Sequence, residues 1–173
     1  SPPEKDIQWS DEGIAASYKF IQKLWIMNSN ILEEIKKNHK DDYGNELDKI
    51  TNNFIYKVTN NLTRFTYNKI IANYHEIYSE ISSTLKKKYT SKTIIKNYTK
   101  IITCMMPVVP HFANECLSLL KVNTKIEWPK INKDLLVQEK VNFVIQINGK
   151  KRGLIISNRN TSEDDLMKLI NDN

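Results

Sequence analysis

The architecture of this chain follows from the stretch Thr90-Ser-Lys-Thr-Ile-Ile-Lys-Asn-Tyr-Thr-Lys-Ile-Ile-Thr-Cys-Met-Met-Pro107. Thr90 or Ser91 can cap the start of a helix here, and Pro107 ends it because proline lacks an N–H and clashes with the preceding turn. Apolar side chains recur between these two points at helical spacing, namely Ile94, Ile95, Tyr98, Ile101 and Ile102. The stretch therefore predicts an amphipathic helix with one face to bury.

The same period recurs on both sides of this helix. Ser10 can cap a first helix, Asn68 can cap a third, and Pro110 can start a fifth, with a turn at Asp41–Asn45 around Gly44. The expected apolar stripes are Ile14, Tyr18, Ile21, Trp25, Leu32 and Ile35; Leu47, Ile50, Phe54, Val58 and Leu62; Ile70, Tyr74, Ile77, Ile81 and Leu85; and Phe112, Cys116, Leu117 and Leu120.

Each stripe covers more than a third of its helix, so the helices must bury these faces against one another. Phe54, Tyr74, Met105 and Met106 are expected in the core, and His111 is expected to cap or orient the fifth helix. The predicted fold class is mainly α: an antiparallel helix bundle over residues 11–121, followed by a small α/β piece.

The period changes from helical to strand-like near residue 141. Residues 122–139, with Trp128 and Pro129, are predicted as a linker, and strands are expected near 141–147 and 152–157. Asn148-Gly149 between them is a strong hairpin signal, because both residue types tolerate a positive φ. Thr161–Asp165 is expected to start a short helix that buries Leu166, Leu169 and Ile170.

The positive charge of the chain is concentrated in one window. The net charge is +6, and residues 81–114 contain six lysines and no acidic residue, namely Lys86, Lys87, Lys88, Lys92, Lys96 and Lys100. The last four are spaced to lie along one helical face. Such a stripe fits a nucleic-acid backbone, or else a solvated helix face with no partner.

No catalytic or metal-binding pattern accompanies this charge. Cys104 and Cys116 are the only cysteines, and the three histidines do not fall at ligand spacings around them. Both thiols are expected to be buried and inert. There is no Gly-rich phosphate loop and no apolar run long enough for a membrane span. A soluble monomer, in the cytoplasm or an organellar matrix and without membrane contact, is expected.

The hairpin carries the second cluster of cations. Lys150, Lys151 and Arg152 follow the Asn148-Gly149 turn directly. A phosphate backbone is a natural partner for three adjacent cations, although the same residues could only keep a hairpin tip soluble.

The amino-acid sequence of several segments resembles that of bacterial-type leucyl-tRNA synthetases. One specific match is Phe-Val-Ile-Gln-Ile-Asn-Gly-Lys-Lys-Arg-Gly at 143–153, which is similar to the start of the family's C-terminal domain. The other is residues 1–13 followed by 18–25, which are similar to the passage from its catalytic core into the anticodon-binding helical domain. Three weaker matches lie between them, at Arg64–Ala72, Pro107–His111 and Trp128-Pro129. The resemblance covers essentially the whole chain.

The resemblance implies a tRNA-binding role for this stretch. Residues 1–10 would leave the catalytic core, residues 11–121 would form the anticodon-binding bundle, and residues 140–173 would be the truncated start of the C-terminal domain. The whole enzyme would join leucine to tRNA-Leu using ATP and Mg²⁺. The family's His-Ile-Gly-His and Lys-Met-Ser-Lys-Ser signatures are absent here, so no ligase activity and no cofactor are expected in this stretch alone.

The residues expected to contact tRNA are Lys150, Lys151 and Arg152 in the hairpin and Lys57, Arg64 and Lys69 in the bundle. Arg64 could instead pair with an acidic residue of its own bundle. Asn52, Asn53 and Phe54 replace the family's His-Lys-Thr run, so no RNA contact is assigned to them, and Ser118 stands where the family often has Trp. Two alternatives remain: the corresponding region of an isoleucyl, valyl or methionyl enzyme, and a helical protein-interaction module without an RNA role.

Overall fold

The chain divides into two compact units, residues 1–136 and 137–173. The structure is a computed structural model, and it describes residues 9–40, 46–122, 127–136, 140–147, 150–158, 162–163 and 166–167. The expected turn at Asp41–Asn45 and the N-terminal segment before Trp9 lie outside the described residues, as do Thr161, Leu169 and Ile170 of the last predicted helix.

The first unit is a bundle of helices, as the apolar periodicity predicted. The helices are α1 (Asp11–Lys37), α2 (Glu46–Thr63), α3 (Tyr67–Thr84), α4 (Ser91–Met105) and α5 (Pro110–Leu119). Helix α2 packs against α3 and α4, α1 packs against α4 and α3, and α5 packs against α4. The mainly α fold class is confirmed.

The core contains the predicted stripes of α2, α3, α4 and α5. Phe54, Tyr74 and Met105 are fully or almost fully buried, and Met106 is partly buried, as expected. Two buried tyrosine hydroxyl groups of this core are paired: Tyr74 Oη donates to the carbonyl oxygen of Cys104 at 3.0 Å, and Tyr98 Oη donates to Asn28 Oδ1 at 3.0 Å. These bonds offset the cost of removing the hydroxyl groups from water.

The predicted stripe of α1 is wrong over its first half. Ile14, Tyr18 and Trp25 are exposed, and the buried residues of this helix are Leu24, Met27, Asn28 and Ile31. The helix has apolar residues on two adjoining faces, and the bundle covers one of them from Phe20 onward. The periodicity gave the helix but not the extent to which neighbours cover it.

Three of the expected helix starts, at Ser10, Thr90 and Pro110, are confirmed, and two assignments are corrected. Ser10 caps α1 by accepting from the N–H of Gly13, and Thr90 caps α4 by accepting from the N–H of Thr93. Thr66, not Asn68, is the N-cap of α3. His111 is exposed and caps nothing at α5, where Val109 is the N-cap and Pro110 needs no N–H partner.

The predicted linker includes a segment that lies against α2. Residues 127–136 contain a short 3-10 helix, Lys133–Leu135, that contacts α2. Trp128 Nε1 donates to Thr59 Oγ1 at 3.0 Å, and Asn52 exchanges two hydrogen bonds with the main chain of Asn132. This stretch is therefore attached to the bundle along the length of α2.

The second unit contains the predicted antiparallel hairpin. Its strands are β1 (Lys140–Ile147) and β2 (Lys150–Asn158), paired from Lys140 opposite Asn158 to Ile147 opposite Lys150. The expected Asn148-Gly149 turn lies outside the described residues. A register shift at Ile145/Gln146 leaves Arg152 as an extra residue on β2, as in a β-bulge.

Candidate RNA-binding surface

The predicted RNA contacts fall on two units of the molecule. Lys150, Lys151 and Arg152 lie at the start of β2, and Arg152, on the bulge, has an exposed side chain. A bulge bends its strand and changes the direction of the side chain at the extra residue, which here is Arg152. The other three cations, Lys57, Arg64 and Lys69, lie on the bundle around the connection between α2 and α3.

Lys57 is engaged within the bundle. Its Nζ donates to Glu76 Oε2 on α3 at 3.1 Å, and less than a third of its side chain is exposed. An ion pair of this kind already neutralises the charge, so an approaching phosphate gains less from Lys57 than from an unpaired lysine. Lys57 therefore helps to hold α2 against α3.

Arg64 and Lys69 are placed differently from Lys57. Arg64 follows the last residue of α2, Lys69 lies in the first turn of α3, and both side chains are exposed. Neither forms an ion pair with any residue that the structure describes. The alternative expectation, that Arg64 pairs with an acidic residue of its own bundle, finds no such partner in this part of the chain.

The α2–α3 tip, defined as residues 60–69, lies in a local region without acidic residues. Residues 49–75 contain Lys49, Lys57, Arg64 and Lys69 but no aspartate or glutamate. The first turn of α3 has no acidic residue either, although a helix N-terminus normally favours one. Glu76, which pairs with Lys57, is the nearest acidic residue along the chain, so the charges of Arg64 and Lys69 remain available to a polyanionic partner.

A hydrogen-bond network fixes the shape of the α2–α3 tip. The N–H of Thr66 donates to the carbonyl oxygen of Asn61 at 2.9 Å, and Thr66 Oγ1 donates to Asn61 Oδ1 at 2.9 Å. Asn61 Nδ2 donates to Asn73 Oδ1 at 2.8 Å, and Asn73 Nδ2 donates to Glu76 Oε2 at 3.2 Å. The connection is therefore tied to the bodies of both helices.

Two aromatic residues of the tip were not expected at the surface. Phe65 is 63% exposed and Tyr67 is 42% exposed, and their ring centroids are 6.4 Å apart. Neither lies on a predicted core stripe, and the alternation of Arg64, Phe65, Tyr67 and Lys69 is the sequence signal that could have identified them.

The lysine window between α3 and α4 is partly neutralised by the bundle itself. Lys87 Nζ donates to Glu46 Oε2, and Lys96 Nζ lies 2.9 Å from a carboxylate oxygen of Asp48. Burial raises the pKa of Asp48, but hydrogen bonds from Lys96 and Asn97 outweigh this and hold the pKa below its usual value. Every lysine of the window except the half-buried Lys100 is exposed, but Lys87 and Lys96 are paired with carboxylates, so only part of the positive charge is left uncompensated.

The described residues include neither a reactive thiol nor a cluster of metal ligands. Burial raises the pKa of Cys104 and of Cys116 to about 12, so neither thiol is a nucleophile near neutral pH. Among the described residues, no cluster of histidine, cysteine and carboxylate side chains could hold a metal ion. No helix in this part of the chain is both long and apolar enough to cross a membrane.

Comparison with known proteins places the chain among tRNA ligases. Residues 44–167, well over half of the chain, match the family described as the anticodon-binding domain of tRNA ligase. The chain is 30% identical over 167 residues to a leucine–tRNA ligase of a Bradyrhizobium species, with 88% of this chain and 19% of the relative covered. It is 30% identical over 173 residues to the leucine–tRNA ligase of Cereibacter sphaeroides, with 98% of this chain and 20% of that protein covered.

The fold also has a solved counterpart. It is similar to the chain in the crystal structure of a ternary complex of Agrobacterium radiobacter K84 agnB2 LeuRS, tRNA and LeuAMS, with a TM-score of 0.66 and 24% identity. That similarity covers 95% of this chain and 22% of the other. This chain thus spans about a fifth of the length of the relatives that it matches. By the family match over residues 44–167, the chain belongs to the anticodon-binding domains of tRNA ligases.

Proposed function

We propose that this chain is the tRNA-binding portion of a leucine–tRNA ligase and that its ligand is tRNA-Leu. The observation that carries the proposal is that leucine–tRNA ligases align with both units of the chain, over 88% to 98% of its length. That alignment favours the leucine enzyme over the isoleucyl, valyl and methionyl alternatives. It also favours RNA binding over a protein-interaction module.

The chain would contribute binding and orientation to the reaction of the whole protein. Activation of leucine with ATP and Mg²⁺, and esterification of the tRNA, would occur in parts of the ligase outside this chain, which lacks both ATP-positioning signatures. The chain would hold the tRNA so that its acceptor end reaches that site. Correct positioning of the reactants lowers the entropic part of the activation barrier.

The contacts with RNA would be made by cations at the surface of the protein. Exposed Arg64 and Lys69 at the α2–α3 tip, Arg152 on the hairpin and the adjacent Lys150 and Lys151 are the candidate phosphate contacts. Folded RNA is recognised largely through its backbone and shape, which exposed cations on rigid elements suit. The solved structure with a similar fold is itself a LeuRS in a ternary complex with tRNA.

The test is retention of labelled tRNA-Leu by this chain on filters over a series of salt concentrations. An unrelated tRNA and a DNA duplex of equal charge are the controls. Salt-sensitive binding that favours tRNA-Leu supports the proposal, because phosphate contacts release counterions. Binding of the DNA duplex as tight as that of tRNA-Leu, or no binding by the folded chain at low salt, contradicts it.

A further inference from the structure

We propose that Phe65 and Tyr67 form a stacking platform for an unpaired nucleotide of the bound RNA, with Arg64 and Lys69 holding the flanking phosphates. This inference rests on the proposed RNA-binding function and goes beyond it, because it assigns a contact to a base. It concerns the α2–α3 tip, where all four side chains lie within six consecutive residues and are exposed.

The backbone at Phe65 is the first reason. Phe65 has a φ of 54°, in the left-handed region that glycine and asparagine adopt at much lower cost than phenylalanine. The ring is also mostly exposed, so burial does not offset this cost. This φ belongs to the end of α2, where the N–H groups of Phe65 and Thr66 bond back to Leu62 and Asn61 and glycine is the usual residue. The helix end itself therefore does not call for an exposed phenylalanine at this position.

The rigidity of the tip is the second reason. The N–H of Phe65 donates to the carbonyl oxygen of Leu62 at 3.1 Å, and the N–H of Tyr67 donates to that of Phe65 at 3.1 Å. Thr66, between the two aromatic residues, is tied to Asn61 through both its main chain and its hydroxyl group. The two rings therefore have a fixed backbone, so less conformational entropy is lost when a ligand binds.

The chemistry of the tip selects a nucleotide over an apolar partner. Each base has a π-face that stacks on an aromatic ring, and a phosphate on either side of that base needs a cation. Arg64 and Lys69 flank the two rings, and the region from residue 49 to residue 75 has no carboxylate to repel a phosphate. An apolar protein surface would gain nothing from the two unpaired cations.

An unpaired nucleotide is required because bases inside a duplex are covered by their neighbours. The tip is a convex connection between two antiparallel helices, and its rings are accessible only to a base that is already exposed in a loop, a bulge or a single strand. The surface should therefore prefer single-stranded RNA over duplex RNA of equal charge.

The experiment uses the chain as it is and a hexauridylate that carries 2-aminopurine at a central position. The fluorescence of 2-aminopurine falls when the base stacks on an aromatic ring, and anisotropy reports binding. The test variant is Phe65→Leu/Tyr67→Leu, which keeps apolar side chains but removes both rings. The control is Tyr18→Leu on α1, because Tyr18 is 63% exposed, as Phe65 is, and lies outside the tip.

We expect the wild-type chain and Tyr18→Leu to bind the hexamer with quenching, and the double variant to bind about ten-fold more weakly with little quenching. The dependence of binding on salt should keep the same slope, because no charge is removed. A duplex RNA of equal charge should bind the double variant and the wild-type chain alike.

A second variant separates binding from folding. Phe65→Gly removes the ring and relieves the positive φ, so we expect it to melt at or above the temperature of the wild-type chain while its affinity for the hexamer falls. A lower melting temperature with unchanged affinity would overturn the proposal, because the ring would then serve the fold.

Failure of this inference can be distinguished from failure of the proposed function. Salt-sensitive binding of tRNA-Leu that is equal in the wild-type chain and in Phe65→Leu/Tyr67→Leu, with no quenching of the hexamer, would leave the tRNA-binding function intact and remove the stacking platform. Loss of hexamer binding in the double variant, together with retained stability, would support the platform.

Discussion

Asn52 on α2 and Asn132 are joined by two hydrogen bonds, each 2.7 Å long. Asn52 Nδ2 donates to the carbonyl oxygen of Asn132, and the N–H of Asn132 donates to Asn52 Oδ1. One buried side-chain amide thus completes the main-chain hydrogen bonds of a residue 80 positions away. Asn52 is the first of the three residues that stand in place of the family's His-Lys-Thr run. Its asparagine side chain therefore has a structural role in this chain.

Replacement of this amide should destabilise the bundle. We expect Asn52→Leu to lower the free energy of unfolding by about 1 kcal/mol, because it removes both hydrogen bonds to Asn132, an exposed residue whose main-chain groups water can partly satisfy. Urea denaturation measures the loss, and exchange of the Asn132 amide hydrogen should become faster. Asn53→Leu, at the half-buried neighbouring position, is the control, and an equal loss in both variants would contradict the assignment.

The buried hydroxyl group of Tyr74 should also contribute to stability. Tyr74 Oη donates to the carbonyl oxygen of Cys104 at 3.0 Å, and burial raises the pKa of Tyr74. Tyr74→Phe removes this donor, and we expect a loss of about 1 kcal/mol in thermal or urea unfolding. Tyr56→Phe, at an exposed position of α2, should be neutral. Unchanged stability in Tyr74→Phe would mean that water or another group satisfies the carbonyl.

The ion pair between Asp48 and Lys96 should make stability depend on pH. The pKa of Asp48 is lowered in the folded chain from the usual 3.8, because the hydrogen bonds from Lys96 and Asn97 outweigh burial. A lowered folded pKa adds stability that is present above the unfolded pKa and is lost as pH falls through the folded pKa. Asp48→Asn should therefore be less stable than the wild-type chain at pH 7, and the difference should vanish in strong acid.

The control for that experiment is Glu33→Gln. Glu33 pairs with Lys36 on the exposed side of α1 with both side chains mostly in water, so its substitution should change stability little at either pH. A difference between wild-type and Asp48→Asn that is the same at pH 7 and in strong acid would refute the electrostatic explanation.

The two cysteines should report opening of the core. Cys104 and Cys116 are fully buried, and burial raises the pKa of each thiol to about 12. We expect neither to react with iodoacetamide at pH 8 in the folded chain, and both to react once urea unfolds it, since the thiolate is the reactive form. Fast alkylation of the folded chain at either position would show that the packing around α4 and α5 is open.

The cations should differ in their effect on tRNA binding. If they contact phosphates, Arg64→Ala and Lys69→Ala should each reduce the slope of log affinity against log salt by about one, and the Lys150/Lys151/Arg152 triple alanine variant by about three. Lys57→Ala should change it less, because Glu76 already neutralises Lys57. An unchanged slope in the triple variant would remove the hairpin from the binding surface.

The sequence predicted most of the bundle because the stripes of α2, α3, α4 and α5 are covered along their whole length. In such helices, apolar spacing and burial coincide. In the first half of α1, apolar spacing and burial do not coincide. Ile14 and Tyr18 belong to the same stripe as Leu32, but their side chains are exposed. Coverage by a neighbour is a tertiary property, and no local pattern in α1 reports it.

The candidate site was predicted less completely. A sequence shows which residues are charged, but not which of them are paired with another side chain in the fold. Lys57, Arg64 and Lys69 were all predicted to contact RNA, but Lys57 pairs with a carboxylate 19 residues away in the sequence while the other two face solvent. The start of α3 shows the same limit. Threonine and asparagine both favour N-cap positions, and the helix begins after Thr66, whose hydroxyl group bonds to Asn61 and not to the helix.

The first residues of α1 have a further consequence for how the chain responds to force and heat. From Asp11 to Lys19 every side chain is exposed, so this end is held mainly by its own main-chain hydrogen bonds and by the Ser10 cap. A helical end of about two turns is barely stable alone in water. We therefore expect this end to unwind and refold many times for each opening of the core. A pulling force applied at Trp9 would then unwind the helix end before it disturbed the packing of Leu24.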